Sequence, residues 1–289
     1  MPHLCLHKGA GIKKDAALRE QRMACLWVQG RVFGSFAAGE KSREFVVTWS
    51  MPKIIHAISG PRNISTALMY SFAQRPGCAV FDEPMYGVYL KKLDPDHPGK
   101  EDVLAQWPTT LEGVRDQVAT FSSHDEIYLK NMAHHMHGEP WHWVEPSAYV
   151  FWIRHPRKVV HSFAKVIDAM SPFDIGLNEQ WEQWVQLSQF PGPKIIVDSD
   201  EMLANPAKNM PLICEALGLV PRPEMLAWAP GQKHYDGPWW PHWYENVHKS
   251  TGFGPAKAMP APLRPDHEAV VEATLPAYEA LYEQRLQFE

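Results

Sequence analysis

Residues 53–75 read KIIHAISGPRNISTALMYSFAQR. An isoleucine-rich apolar run ends at Ser59, the chain turns on Gly60 and Pro61, and the remainder has the pattern of a helix. Strand, tight turn and helix in that order is the layout of a phosphate-cradling loop. The first N–H groups of a helix lack intrahelical partners, and the dipole is positive at that end. The Gly-Lys pair that defines a nucleoside triphosphate loop is absent. Arg62, Ser65 and Thr66 supply a cation and two hydroxyls in its place. An ordinary turn and N-cap carrying an incidental arginine is the competing reading of this loop taken alone.

Outward from the loop, short apolar runs alternate with longer helical patterns. The runs at 54–59, 78–83, 127–131, 148–154 and 194–199 are nearly continuous in apolar residues, as strands buried on both faces of a parallel sheet must be. ISTALMYSFAQR, LEGVRDQVATFSS, PRKVVHSFAKVIDAM, NEQWEQWVQLSQF, NPAKNMPLICEALGL and a last segment at 266–286 read as helices. The alternation predicts an α/β fold: a three-layer sandwich around a central parallel sheet, with ligands collecting at the carboxyl ends of the strands. Residues 221–262 break the rhythm with many prolines and tryptophans. They are too long for an ordinary connection and read as a lid or binding loop.

Bulk properties set outer limits. The 289 residues suffice for one large core. A net charge of -5 and pI near 6.3 argue against a nucleic-acid coat protein, which carries a basic excess. Cys5, Cys25, Cys78 and Cys214 are widely spaced, suggesting neither a disulfide framework nor a zinc site, and favouring a reducing cytoplasmic setting. No apolar run approaches the ~20 residues of a membrane span. Residues 1–50 look different from the rest. LHKGAGIKKDAALREQRMACLW is basic and helix-tolerant, GSFAAGEKSREFVV holds neither helix nor strand periodicity for long, and the segment reads as an N-terminal extension, disordered or foreign to the native protein, with the domain at 51–289. Met51 stands directly before the first core strand as an alternative start, and a transit peptide is the runner-up, weakened by Asp15 and Glu20.

A second motif lies at 151–163, FWIRHPRKVVHSF. A buried strand ends at Arg154, Pro156 suits a first helical turn, and Ser162 follows eight residues after the arginine. That pairing can hold a second anion apart from the first loop, and two separated phosphate sites suggest a nucleotide phosphorylated at two positions.

With both motifs in view, the sequence resembles the sulfotransferases that use 3′-phosphoadenosine 5′-phosphosulfate (PAPS), with a P-loop-like sulfotransferase fold. PRNIST at 61–66 resembles their 5′-phosphosulfate loop, with Ile64 where glycine is usual, and Arg154 with Ser162 resembles their 3′-phosphate motif. The stretch 195–219, IIVDSDEMLANPAKNMPLICEALGL, resembles their strand, acidic turn, Asn-Pro and closing helix. The resemblance implies a soluble transferase moving a sulfuryl group from PAPS to a hydroxyl or amine of a small acceptor, releasing 3′,5′-adenosine diphosphate, with no metal. No membrane or nucleic-acid partner is expected. Gly60, Pro61, Arg62, Asn63, Ile64, Ser65 and Thr66 would bind the cofactor, with Arg154 and Ser162. The partial match HKSTGFG at 248–254 adds Lys249, Ser250, Thr251 and Gly252.

The chemistry then needs charge stabilisation and a base. Arg62, always protonated at neutral pH, is the expected partner of the leaving group. Glu83, at the end of the second strand, is the expected base, and Asp82 is ranked behind it as a substitute because alternate strand residues face opposite ways. Lys130 resembles a lysine aimed at the sulfuryl group. His134 or His135 is the alternative base; with His137 they lack the spacing and partners of a metal site. Trp239, Trp240, Trp243 and Tyr244 either line an acceptor pocket or pack a long loop. Two other functions compete: a P-loop nucleotide kinase or hydrolase, weakened by the missing Gly-Lys element, and a nucleotide-binding relative without catalysis.

Overall fold

The structure is a computed structural model that describes residues 51–140 and 144–288, together with the backbone of three earlier strands. Those strands, β1 (Cys25–Val28), β2 (Arg31–Phe36) and β3 (Arg43–Thr48), form an antiparallel sheet within a unit spanning Met1–Ser50. The expectation that this stretch lacks strand periodicity is corrected on that point. CLWV, RVFGSF and REFVVT are runs of four to six residues, shorter than the span over which alternation stands out in a sequence.

The unit Met51–Glu289 is built on a five-stranded, all-parallel sheet in the order β5-β6-β4-β7-β8. The strands are β4 (Lys53–Ser59), β5 (Cys78–Asp82), β6 (Glu126–Met132), β7 (Ala148–Ile153) and β8 (Lys194–Asp198). Each lies within a residue of its expected bounds. Their continuous apolar character has a direct cause, since alternate side chains enter two different cores. From β7, Tyr149, Phe151 and Ile153 enter one core, whereas Ala148, Val150 and Trp152 enter the other.

The first core is covered by α4 (Leu111–Ala119), α5 (Pro156–Phe163), α7 (Leu177–Gln186) and α12 (Pro265–Glu283). The second is covered by α1 (Ser65–Phe72), α8 (Ser199–Ala204) and α9 (Pro206–Ala216). A smaller aromatic core gathers α2 (Tyr86–Leu93), α3 (Lys100–Gln106) and part of the late loop. One-turn helices α6 (Pro172–Ile175), α10 (Trp240–Trp243) and α11 (Glu245–His248) complete the unit. Several expected helices are shorter than read: α1 stops at Phe72, α4 at Ala119 and α5 at Phe163, each before a turn. Among the described residues no helix is long and apolar enough to cross a membrane.

β4 is the central strand, so the turn after Ser59 opens at the middle of the sheet's carboxyl edge. Gly60 is required there, because a Cβ at that position would lie 2.3 Å from the Ile175 carbonyl oxygen. The late loop is pinned to the body. Tyr70 on α1 donates its hydroxyl proton to Asp236, which also accepts from the Lys233 backbone N–H at 2.8 Å. An antiparallel bridge between Ala227 and Gly252 closes the loop's two arms.

Candidate active site

A cleft of 370 Å³ opens at the carboxyl ends of the strands, lined by residues from the 61–67 turn, the ends of β5, β6 and β7, α5 and the late loop. Of the residues expected from sequence, Pro61 through Thr66, Glu83, Lys130, His134, Arg154, Ser162, Ser250 and Gly252 all reach it. Gly60 does not line it but positions the turn that does. Lys249 and Thr251 are not brought to the cleft. Lys249 extends into solvent and pairs with Glu245 at 2.6 Å, as expected for residues four apart on a helix. Thr251 is exposed, and its carbonyl accepts from Trp228 N–H.

One end of the cleft is cationic. Arg154 leaves the end of β7, donates to the Arg62 carbonyl at 3.0 Å and lies 3.3 Å from Asp200. Its Nε is buried with no partner. The Nε of Arg62 donates to the Ser162 hydroxyl at 3.1 Å. Sequence reading set Ser162 and Arg154 apart from the first loop; these two bonds make one continuous site of them. Burial and then the charge of Arg154 lower the pKa of Arg62. Two neighbouring guanidiniums, an orphaned buried N–H and a helix N-terminus are an environment that an anion relieves. The residues present therefore fit a phosphorylated ligand.

The loop backbone is unusual in the same place. Arg62 has φ 55°, Ile64 φ 51° and Glu83 φ 40°, all in the left-handed region that favours glycine. Asn63 braces the loop, donating to the Trp152 carbonyl and accepting from the Ser199 hydroxyl.

The other end is built around Lys130, which is fully buried. Its ammonium donates to Asp82 at 2.8 Å, Glu83 at 2.5 Å and the Tyr244 hydroxyl at 2.9 Å, so its three N–H groups are all engaged. Tyr244 in turn donates to Asp82 at 2.6 Å, accepts from Trp239 Nε1 at 2.9 Å, and meets the Thr66 side chain. Asp82 also accepts from the Gly237 N–H at 3.0 Å. The alternation argument that ranked Asp82 behind Glu83 does not separate the two, for a physical reason. Asp82 is the register partner of Lys130, and the left-handed turn at Glu83 ends the strand's alternation, so both carboxylates reach one lysine. Burial raises the pKa of Glu83 to about 7, with Asp82 adding to the rise and Lys130 opposing it. The same two carboxylates raise that of Lys130 against its burial.

His134 and His135 follow β6 in a 3₁₀ turn, Ala133–Met136. His135, rather than His134, stands beside the carboxylate, with Nδ1 3.7 Å from Glu83. Burial pulls His134 down to about 3 and His135 well below the ordinary imidazole value, so both are neutral and weak as bases. His137 turns away against Phe173. Trp239, Trp243 and Tyr244 line the cleft and also pack the aromatic core, whereas Trp240 packs against that core without lining the cleft, its ring tilted against His248. Sequence reasoning missed the structural weight of Asp82, the hydroxyl role of Tyr244, and Asp200, which accepts from Arg154 and Lys158. Tyr244 lies 114 residues from Lys130, and no local pattern links them.

A parallel α/β sheet with an arginine-bearing loop after its central strand defines a P-loop-like group-transfer fold. The chain belongs to the sulfotransferase domain family, which matches residues 52–285. The sulfotransferase domain of the Synechococcus PCC 7002 olefin synthase shares the fold, with a TM-score of 0.52 at 17% identity, covering 78% of this chain and 96% of that one. Two Arabidopsis thaliana proteins are similar in sequence. Branched-chain-amino-acid aminotransferase-like proteins 1 and 2 are each 34% identical, over 80% and 79% of this chain. The chain spans about two-fifths of their length, 42% and 41%.

Proposed function

We propose that the protein transfers a sulfuryl group from PAPS to a hydroxyl of a small acceptor, and that no metal takes part. The observation that carries this reading is the pairing of Arg62 and Arg154, two adjoining cations with an unpartnered buried N–H, at the N-terminus of α1. Arg62, Ser65, Thr66 and the first N–H groups of α1 would hold the 5′-phosphosulfate. Arg154 and Ser162 would hold the 3′-phosphate, with Ser250 and Gly252 closing over the nucleotide. Membership of the sulfotransferase family supports the assignment.

Bound in this cleft, PAPS supplies an activated sulfur: its bond to the phosphate oxygen breaks as the bond to the acceptor oxygen forms, and 3′,5′-adenosine diphosphate leaves. Arg62 stabilises the charge gathering on the departing oxygen. Glu83, whose raised pKa suits proton transfer near neutrality, takes the acceptor's proton. Lys130 is a positioning residue, its three N–H groups holding Glu83, Asp82 and Tyr244 in register.

The test has two parts. Thermal shifts with 3′,5′-adenosine diphosphate, 5′-AMP and ATP report binding by mass action, and the first is expected to stabilise most. Arg154→Ala is then expected to weaken 3′,5′-adenosine diphosphate about 10- to 100-fold while leaving 5′-AMP nearly unchanged, the scale of one lost charge-assisted bond. Equal losses for both would remove Arg154 from the 3′-phosphate. Activity that needs Mg²⁺ and prefers ATP would replace sulfotransfer with the kinase reading.

A further inference from the structure

A second cavity, of 530 Å³, lies between α7 and the segment 136–140 and shares no lining residue with the cleft. On the helix side it is lined by Glu179, Glu182, Gln183 and Gln186, positions i, i+3, i+4 and i+7 of one helical face. A half-buried stripe at that spacing is ordinarily apolar. This one carries carboxylates and amides. Glu179 and Gln183 are the deep pair, 8% and 5% exposed. Gln183 donates its amide N–H to the Ala133 carbonyl at 2.8 Å, which fixes the amide's orientation and leaves Oε1 buried with no partner. Oε2 of Glu179 is likewise buried with no partner. Buried acceptors left unpaired are costly until a donor reaches them. From the facing segment, His137 and Glu139 look into the same space, and Glu139 is paired with Lys92 at 2.6 Å. With that pair neutral, Glu179 and Glu182 make the cavity net negative. Burial raises the carboxyl of Glu179 to about 7; its own backbone N–H opposes the rise, and the charges of Glu182 and of Asp174 on α6 add to it.

We propose that this cavity binds a small organic cation, an ammonium or guanidinium on a short alkyl body, with Glu179 and Gln183 as its inner acceptors and Glu182 at the mouth. A charged nitrogen group brings several N–H donors at once and no acceptor, the complement of two orphaned oxygens beside a carboxylate. The volume suits a small molecule and far exceeds a bare ion. Among the described residues no three His, Cys, Asp or Glu side chains are grouped to hold a metal. Met136 and Pro140 give the wall an apolar part on which an alkyl stem can lie while its charged head meets the carboxylates. The site stands apart from sulfotransfer and serves its ligand whichever reaction the cleft performs.

Four compounds with one butyl body test this by calorimetry on the full chain at about pH 8: n-butylammonium, n-butylguanidinium, 1-butanol and butyrate. At least one of the two cations is expected to bind saturably at a single site, at least tenfold more tightly than 1-butanol and butyrate. No saturable binding by either cation, or a Kd for 1-butanol equal to theirs, overturns the inference. Displacement of the bound cation by equimolar Mg²⁺ also overturns it, in favour of a metal site. Glu179→Gln keeps the shape of the side chain and is expected to weaken the cation at least tenfold. Glu182→Lys, at an exposed position, places an ammonium at the mouth and is expected to do the same, so the test survives if the first variant fails to fold. Glu83→Gln is expected to leave the Kd unchanged; a loss there and not at Glu179 puts the cation in the cleft and overturns the inference. Both cations stay charged between pH 5 and 9, whereas Glu179 must lose its proton to receive them. Affinity is therefore expected to fall toward tenfold per pH unit below about 7 and to level off above it, and that limb is expected to vanish in Glu179→Gln. A limb that persists in the variant counts against Glu179 as the acceptor.

Discussion

In the proposed reaction Glu83 is the base, and its environment gives a signed prediction. A base must be deprotonated to act, and burial raises this carboxyl to about 7. The value of kcat/KM is therefore expected to fall tenfold per pH unit below about 7 and to level off above it. Glu83→Gln is expected to lower turnover about 100-fold or more and to abolish that limb while nucleotide affinity holds; a limb that survives in the variant would move the base elsewhere. Backbone strain sits in the same place. Of the four non-glycine residues with positive φ among those described, Arg62, Ile64 and Glu83 line the cleft, and only Asp94, a helix C-cap, does not. A β-branched residue in this conformation is costly, on the order of 1–3 kcal/mol. Ile64→Ala keeps the strained conformation and loses packing, whereas Ile64→Gly loses the same packing and relieves the strain. The glycine variant is therefore expected to melt a few degrees above the alanine variant, and the reverse order would show that Ile64 carries no strain. The residues of the loop were legible because strand, turn and helix are contiguous in sequence. Lys130's partnership with Tyr244 was not, because only the folded chain brings them together.

At the scale of elements, the late loop completes the network around Lys130 instead of merely covering it. Tyr244 supplies one hydroxyl that serves Lys130, Asp82 and Trp239, and the Gly237 N–H caps the same Asp82 oxygen. Tyr244→Phe keeps the ring but leaves the Trp239 N–H and one Lys130 N–H unsatisfied and removes a donor from Asp82, at about 1–3 kcal/mol per buried group. With Asp82 less stabilised, Lys130 is drawn toward it and Glu83 binds its proton more tightly. The expected outcome is a pH limb displaced upward from 7 and kcat reduced at neutral pH but recovering at higher pH, with nucleotide affinity preserved. A uniform loss at every pH would reduce Tyr244 to packing. The strands were legible because a parallel sheet buried on both faces forces unbroken apolar runs, as in β4 and β7. The helices α2 and α3 were not: they are short, separated by the proline- and glycine-containing stretch 94–99, and stabilised by aromatic contacts with a loop more than 130 residues away. The proline and tryptophan content of 221–262 did signal an irregular segment, and part of it lines the cleft, although Lys249 and Thr251 within it do not.

For the whole molecule, the distribution of the cleft and the cores along the chain leads to a prediction about residues 1–50. Among the described residues, those lining the cleft lie between Pro61 and Lys257, and the hydrophobic clusters draw on residues from Ile54 to Phe288. The five-stranded sheet is hydrogen-bonded separately from the three antiparallel strands, and the family match begins at residue 52. We expect a protein that begins at Met51 to melt within about 1 °C of the full chain and to bind 3′,5′-adenosine diphosphate with the same Kd. The measurement is sensitive enough to decide. Burying only ~100 Å² of apolar surface stabilises by about 2.5 kcal/mol, and for a domain of this size each kcal/mol moves Tm by roughly 2–4 °C. Packing of residues 1–50 on the domain would therefore appear as a fall of about 5 °C or more in the shortened protein. An unchanged Tm with weaker nucleotide binding would instead assign the first 50 residues a direct part in the ligand site, since a loss confined to affinity requires contact with the ligand or with the loops that close over it.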